Sequence, residues 1–172
     1  MRNSLRFVAV GAALAAASFA TSASAAATAN ATATAEILQS LTLTADSALD
    51  FGQIAANGAG TVKVNADGTV VQTGTLVWTG TRVPAGFTVT GTKGASVIVT
   101  LPTTAATLYL GGITSSTTVM TLDQFNKNPT GAFQLDATTG AAQFSVGGRL
   151  SVAAAQTAGV YSGTFAVSVE YQ

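Results

Sequence analysis

The chain has 172 residues, 48% of them apolar and only 8% charged, with seven basic and seven acidic side chains and no His or Cys. So neutral a chain lacks the positive surface that nucleic acid demands, and it lacks the commonest general base, thiolate nucleophile and zinc ligands. High hydropathy with little charge is also unlike a disordered chain, and a solvated helical protein would carry more charge on its surface.

In chain order, Arg2 and Arg6 precede an apolar run, Phe7–Ala20, of 14 residues. That run is too short to span a hydrocarbon core about 30 Å thick. The small residues that follow offer Ala23-Ser24-Ala25 and Ala25-Ala26-Ala27 as cleavage sites, so residues 1–25 read as a secretory signal peptide. Cleavage after Ala25 leaves 147 residues with five basic and seven acidic side chains, a net charge of −2. No later apolar run is long enough for a stable membrane-spanning helix. The expected location is exported: periplasmic, cell-surface or extracellular. With no Cys, stability must come from packing and strand pairing.

Residues 26–36 form an Ala/Thr-rich extension, and residues 37–172 a single domain. In the extension, Ala27, Ala29, Ala31, Ala33 and Ala35 share one face if the segment is extended. Such a segment can add itself to an open sheet edge of a neighbouring subunit; the plainer reading is a flexible leader. Period-2 alternation then dominates, rich in Thr and Val, which suit a pleated surface. Strands are expected at Leu41–Thr44, around Val62 and Val64, at Val71–Trp78, Phe87–Thr90 and Val97–Leu101. Further strands are expected at Leu108–Leu110, Val119–Leu122, Phe144–Leu150 and Val160–Tyr171. Asp67-Gly68 is a hairpin signal, Gly52 a bend, and the apolar run Val97–Leu101 suits a strand covered on both faces. The polar stretch Asp123–Asp136 reads as a surface loop. Nine or ten short strands at this spacing predict an antiparallel sandwich or barrel.

Chemistry finds little purchase. No SxxK or GxSxG motif accompanies the hydroxyls, and most carboxylates flank turns, where Asp bonds nearby backbone. Loop Asp residues could at most offer calcium a weak contact. Gly111-Gly112 and Gly147-Gly148 lack a phosphate-loop Lys and are expected to mark bends or bulges. Trp78, the only Trp, is expected in the core; its rival role is a sugar-stacking platform beside a second aromatic. The chain is therefore expected to be non-enzymatic, with no cofactor and no metal.

The final strand alternates most regularly. Tyr161, Gly163, Phe165, Val167, Val169 and Tyr171 lie on one face, and the chain ends one residue after Tyr171. The leader into an apolar strand (residues 31–44), the Leu49-Asp50-Phe51-Gly52 element and the ending Ala158–Phe165 with Val167, Val169 and Tyr171 resemble a family of small secreted bacterial proteins known as a domain of unknown function. The terminus also resembles fimbrial subunits of the chaperone–usher class, with Tyr171 penultimate and Gly159 fourteenth from the end. That second resemblance implies an incomplete immunoglobulin-like sandwich. A periplasmic chaperone's strand would complete it first, and the next subunit's extension would follow at an outer-membrane usher. Under it, Gly159, Phe165, Val167, Val169 and Tyr171 belong to the strand the chaperone reads, and the alanines of residues 27–35 to the donor. The sequence thus predicts an all-β, immunoglobulin-like antiparallel sandwich, a self-associating pilin-like or surface-assembly subunit. The alternative is a secreted module that binds a glycan or surface polymer through its loops, and a weaker one is an outer-membrane barrel.

Overall fold

A computed structural model describes residues 27–172; the expected signal peptide, residues 1–25, lies outside the described residues, as does Ala26. The chain divides into two units, Met1–Ala35 and Glu36–Gln172. Of the first, residues 27–35 carry no regular secondary structure and all are exposed, so the five alanines of the expected strand face have no strand partner.

The second unit is all-β, with thirteen strands paired antiparallel and no helix among the described residues. No helix there is long and apolar enough to cross a membrane. The central element is β11 (Ala141–Val152), twelve residues long. Along one edge its first half pairs with β6 (Ala85–Thr90) and its second half with β3 (Gly60–Val64). Its other edge pairs with β9 (Val119–Asn128). Outward from these lie β1 (Thr42–Ser47) on β6, β4 (Val70–Gly74) on β3, and β8 (Ala106–Leu110) followed by β12 (Tyr161–Ser162) beyond β9. This eight-stranded sheet curls into a half-barrel. A second sheet has the order β10 (Phe133–Gln134), β7 (Ser96–Thr100), β13 (Ser168–Tyr171), and a two-stranded ribbon joins β2 (Gln53–Ala55) to β5 (Val77–Thr79).

The inward faces form two apolar clusters. One gathers Val62, Val64, Leu122, Leu150 and Phe51; the other gathers Val89, Val146, Phe144, Val97 and Leu135, so the three-stranded sheet closes it. Leu49, Phe125 and Phe165 pack against both. Val62, Val64, Val89, Val97, Val146 and Leu135 are fully buried, each contributing about 1.5–3 kcal/mol of transfer free energy.

Glycines set where pairing stops. Gly148 stands where the β11–β9 register shifts, opposite Gln124 at φ +47°, which is the bulge that Gly147-Gly148 led us to expect. At Gly147 a Cβ would run into the backbone of Val64, Asn65 and Ala66. Gly52 bends as expected, at φ +68°. In the Leu49-Asp50-Phe51-Gly52 element, Asp50 bridges to Val83 and accepts the Gly52 N–H at 2.8 Å, while Phe51 enters the core.

Several expectations change. The strands number thirteen rather than nine or ten, because pieces of two or three residues are too short to show a period. Val71–Trp78 is not one strand: Gly74 at φ +79° turns the chain, so β4 stays on β3 while β5 leaves for β2. Asp123–Asp136 is not a loop, since its first six residues continue β9 and Phe133–Gln134 form β10. Their polar side chains are used across strands: Asn126 Oδ1 accepts the Ala66 N–H at 2.6 Å, and Lys127 Nζ donates to the Val99 carbonyl at 2.6 Å. Val97–Leu101 is covered on one face only, leaving Ile98 38% exposed. The Asp67-Gly68 hairpin forms, but its turn starts earlier: Gly68 N–H closes on the Asn65 carbonyl, and Gly68 alone takes positive φ, at +85°. The final strand is two pieces, β12 and β13, in different sheets.

Candidate functional site

The break in the final strand locates the site. Gly111 N–H bonds the Val160 carbonyl and Gln172 N–H bonds the Ser96 carbonyl, at 2.7 and 3.0 Å. Antiparallel bonding uses alternate residues. Ser162 therefore faces β8, and Ser168 and Glu170 face β7, while residues 163, 165, 167, 169 and 171 turn their main-chain groups to the opposite edge. Residues 163–167 make no main-chain hydrogen bond among the described residues. Yet Phe165 and Val167 still point inward and Thr164 and Ala166 outward, so the strand alternation persists through the unpaired stretch.

Across from it stands β1, paired on one side only. Gly91 N–H bonds the Gly140 carbonyl, which commits alternate β6 residues to β11 and leaves Thr88 and Thr90 for β1. Leu43 and Ala45 consequently present free main-chain groups on the outer side of β1. Its far end is irregular between Ala45 and Ser47; there Ser47 Oγ accepts the Gly86 N–H at 2.9 Å and Asp46 accepts the Thr88 hydroxyl at 2.7 Å. Between β1 and the final strand lies an apolar cleft of about 310 Å³. Ala45 and Ser47 form one wall and Ser162–Phe165 the other, over a floor that includes Leu49, Phe51, Phe87 and Leu122. This is a seam where the half-barrel stays unclosed.

The residues expected at an assembly site are distributed along this strand. Gly159, at φ +150°, precedes β12, and a Cβ there would run into Leu110. Phe165 packs tilted on Phe125, centroids 5.0 Å apart, and edge-on to Phe87 at 6.5 Å. Val167, Val169 and Tyr171 are half-buried against the second cluster. The Tyr171 hydroxyl donates to the Gln39 carbonyl and accepts the Thr92 N–H, each at 2.7 Å. Ala27, Ala29, Ala31, Ala33 and Ala35 lie in the other unit. Sequence reasoning missed Ala45 and Ser47; the lone signal for them is the alternation running on from Leu41 and Leu43, which says nothing of which strand faces them.

Trp78 is not a core residue: it is 51% exposed, with the guanidinium of Arg82 4.0 Å over its ring. The β2–β5 ribbon is only three residue pairs long, too small to bury the ring. Arg82 is buried, which lowers its pKa, and its Nε donates to the Phe51 carbonyl at 3.1 Å. No other ring pairs with Trp78 among the described residues. The one ion pair among them is bidentate, Arg149 to Asp123 at 2.8 and 2.7 Å, on neighbouring strands. The hydrogen bond from Arg149 holds the Asp123 carboxyl below its ordinary range. Asp67 and Asp136 are likewise lowered, chiefly by Thr69 and by the Thr139 and Thr138 amides, in the turn roles expected of them. No group of three or more acidic, His or Cys residues is placed to hold a metal among the described residues.

Comparison with curated proteins and with solved structures finds no match. The family model described as "Domain of unknown function (DUF4402)" matches residues 41–171, running from the residue before β1 through the last residue of β13. The chain therefore belongs to the DUF4402 family of domains of unknown function.

Proposed function

We propose that the protein is an exported, non-enzymatic structural subunit that assembles by β-strand complementation. The seam between β1 and the final strand is the observation that carries this reading: two facing strands with unspent main-chain groups over an apolar floor. An inserted strand gains main-chain bonds on its edges and buries apolar surface that the single chain leaves open. In this reading the fold is an immunoglobulin-like sandwich short of one strand. The donor is the extension of another copy, with Ala27, Ala29, Ala31, Ala33 and Ala35 facing inward. Like the donor, the two walls carry small residues, Ala45 and Gly163. Scarce charge lets like subunits pack without repulsion. A periplasmic chaperone that shields the seam, and an outer-membrane usher, are the partners this reading implies.

The test expresses the full chain with its export signal beside a variant lacking residues 27–35. Heat-labile, SDS-resistant ladders that vanish on the deletion support the proposal; a monomer in both cases refutes it. Since the chain has no Cys, Ala31→Cys and Ala45→Cys placed in separate copies report the contact directly, through an intermolecular disulfide.

A further inference from the structure

We propose that the outer side of the β8–β12 pair is a binding site for a neutral saccharide. This goes beyond the assembly reading and does not rest on it. A cleft of about 460 Å³ opens there, and five of its lining residues bear hydroxyls: Thr107, Tyr109, Thr114, Ser162 and Thr164. No charged residue lines it. None of the five hydroxyls has a hydrogen-bond partner among the described residues, whereas the other two tyrosine hydroxyls are both bonded: Tyr161 to Thr157 and Gln156, Tyr171 to Gln39 and Thr92.

The main chain adds to this set. The β8–β12 ladder bonds the pairs 160/111 and 162/109 and then stops. The next pair in that register is Thr164 with Thr107, and no bond joins them. The main-chain groups of Thr164 and Thr107 on this side thus have no main-chain partner among the described residues. Glycine lets the strands approach closely here: a Cβ at Gly112 would meet Ser162 Oγ at 2.7 Å, and one at Gly163 would run into the Thr107 carbonyl. Tyr109 supplies a half-buried ring beside these polar groups.

Donors and acceptors in near-equal number, no charge, and one aromatic ring match a pyranose. Its hydroxyls both give and accept hydrogen bonds, and its C–H faces lie against an aromatic surface. An anionic sugar finds no cation here, and an apolar ligand would leave the hydroxyls unpaired.

The experiment titrates the full chain with cellotetraose and with maltotetraose at millimolar concentration, following heat and amide chemical shifts. Saturable binding of either sugar, with shifts at Thr107, Tyr109 and Ser162–Thr164, is the expected result. Tyr109→Ala should weaken it by about tenfold or more, the size of one ordinary contact. Thr107→Val and Thr164→Val, exposed and close in shape, should each weaken it while leaving the thermal midpoint in place. Trp78→Ala should leave affinity unchanged. No binding of either sugar, or binding lost in Trp78→Ala and kept in Tyr109→Ala, overturns the proposal.

Discussion

Replacing Tyr171 by Phe removes one oxygen and keeps the ring, which isolates the hydroxyl that ties the residues just before β1 to the last strand. That oxygen donates to the Gln39 carbonyl and accepts the Thr92 N–H, each at 2.7 Å. It also fills the space left by the missing side chain of Gly91, where a Cβ would collide with it. The Gln39 carbonyl is exposed and can turn to water, so its bond is worth about 0.5–1 kcal/mol. The Thr92 amide is partly buried and loses its acceptor, adding about 1–1.5 kcal/mol. The sum is about 2 kcal/mol, or a midpoint lower by about 8 °C at roughly 4 °C per kcal/mol for a domain of this size. Urea unfolding of Tyr171→Phe, followed by circular dichroism, should show that loss with the slope m unchanged. Amide exchange at Thr92 should rise with it. Tyr161→Phe serves as control, because its hydroxyl serves only the neighbouring turn, at Thr157 and Gln156. A loss under about 0.5 kcal/mol in Tyr171→Phe, with Thr92 still protected, would refute the reasoning.

Gly147→Ala should cost about 3 kcal/mol or abolish folding, because the added methyl meets backbone; Gly68→Ala, with open space but φ +85°, should cost about 1 kcal/mol, both by urea unfolding. With no His, the described unit should hold constant stability between about pH 8 and pH 5. Asp67, Asp123 and Asp136 have folded pKa values below their unfolded ones, so their stabilisation is complete above the unfolded value of about 4 and is lost as the pH falls through the folded values. Asp123→Asn should blunt that acid loss and lower stability at pH 7 by about 0.5–1 kcal/mol, as a partly exposed ion pair allows. Emission from Trp78 should be readily quenched by acrylamide in the native state; a ring shielded from the quencher would contradict its placement.

The all-β class was legible because Thr and Val alternate almost throughout, and the final strand shows how far alternation reaches. Its inward face, Tyr161 to Tyr171, is the one that period 2 gives, even though the strand changes sheets midway. Alternation reports which way a side chain points, not which neighbour supplies the hydrogen bonds, so the seam left no mark in the sequence. The stretch Asp123–Asn128 misled because its polar side chains imitate a loop, while Asn126 and Lys127 spend that polarity on backbone groups of distant strands. Trp78 misled in the other direction: a large apolar residue usually goes inside, but a ribbon of three pairs has no inside to offer. Turn chemistry was clearer, since Asp67 and Asp136 act on amides two or three residues away.

The placement of β1 has a mechanical consequence. Tension drawn along β1 from its first residue acts parallel to the strand, so it must slide five β1–β6 residue pairs at once rather than peel them singly. The Tyr171 hydroxyl, on Gln39 just upstream, shares that load with the last strand before β1 bears it alone. A β-strand loaded in shear resists far more force than one unzipped from its end, and here the first pairs to be strained are also those nearest the clasp.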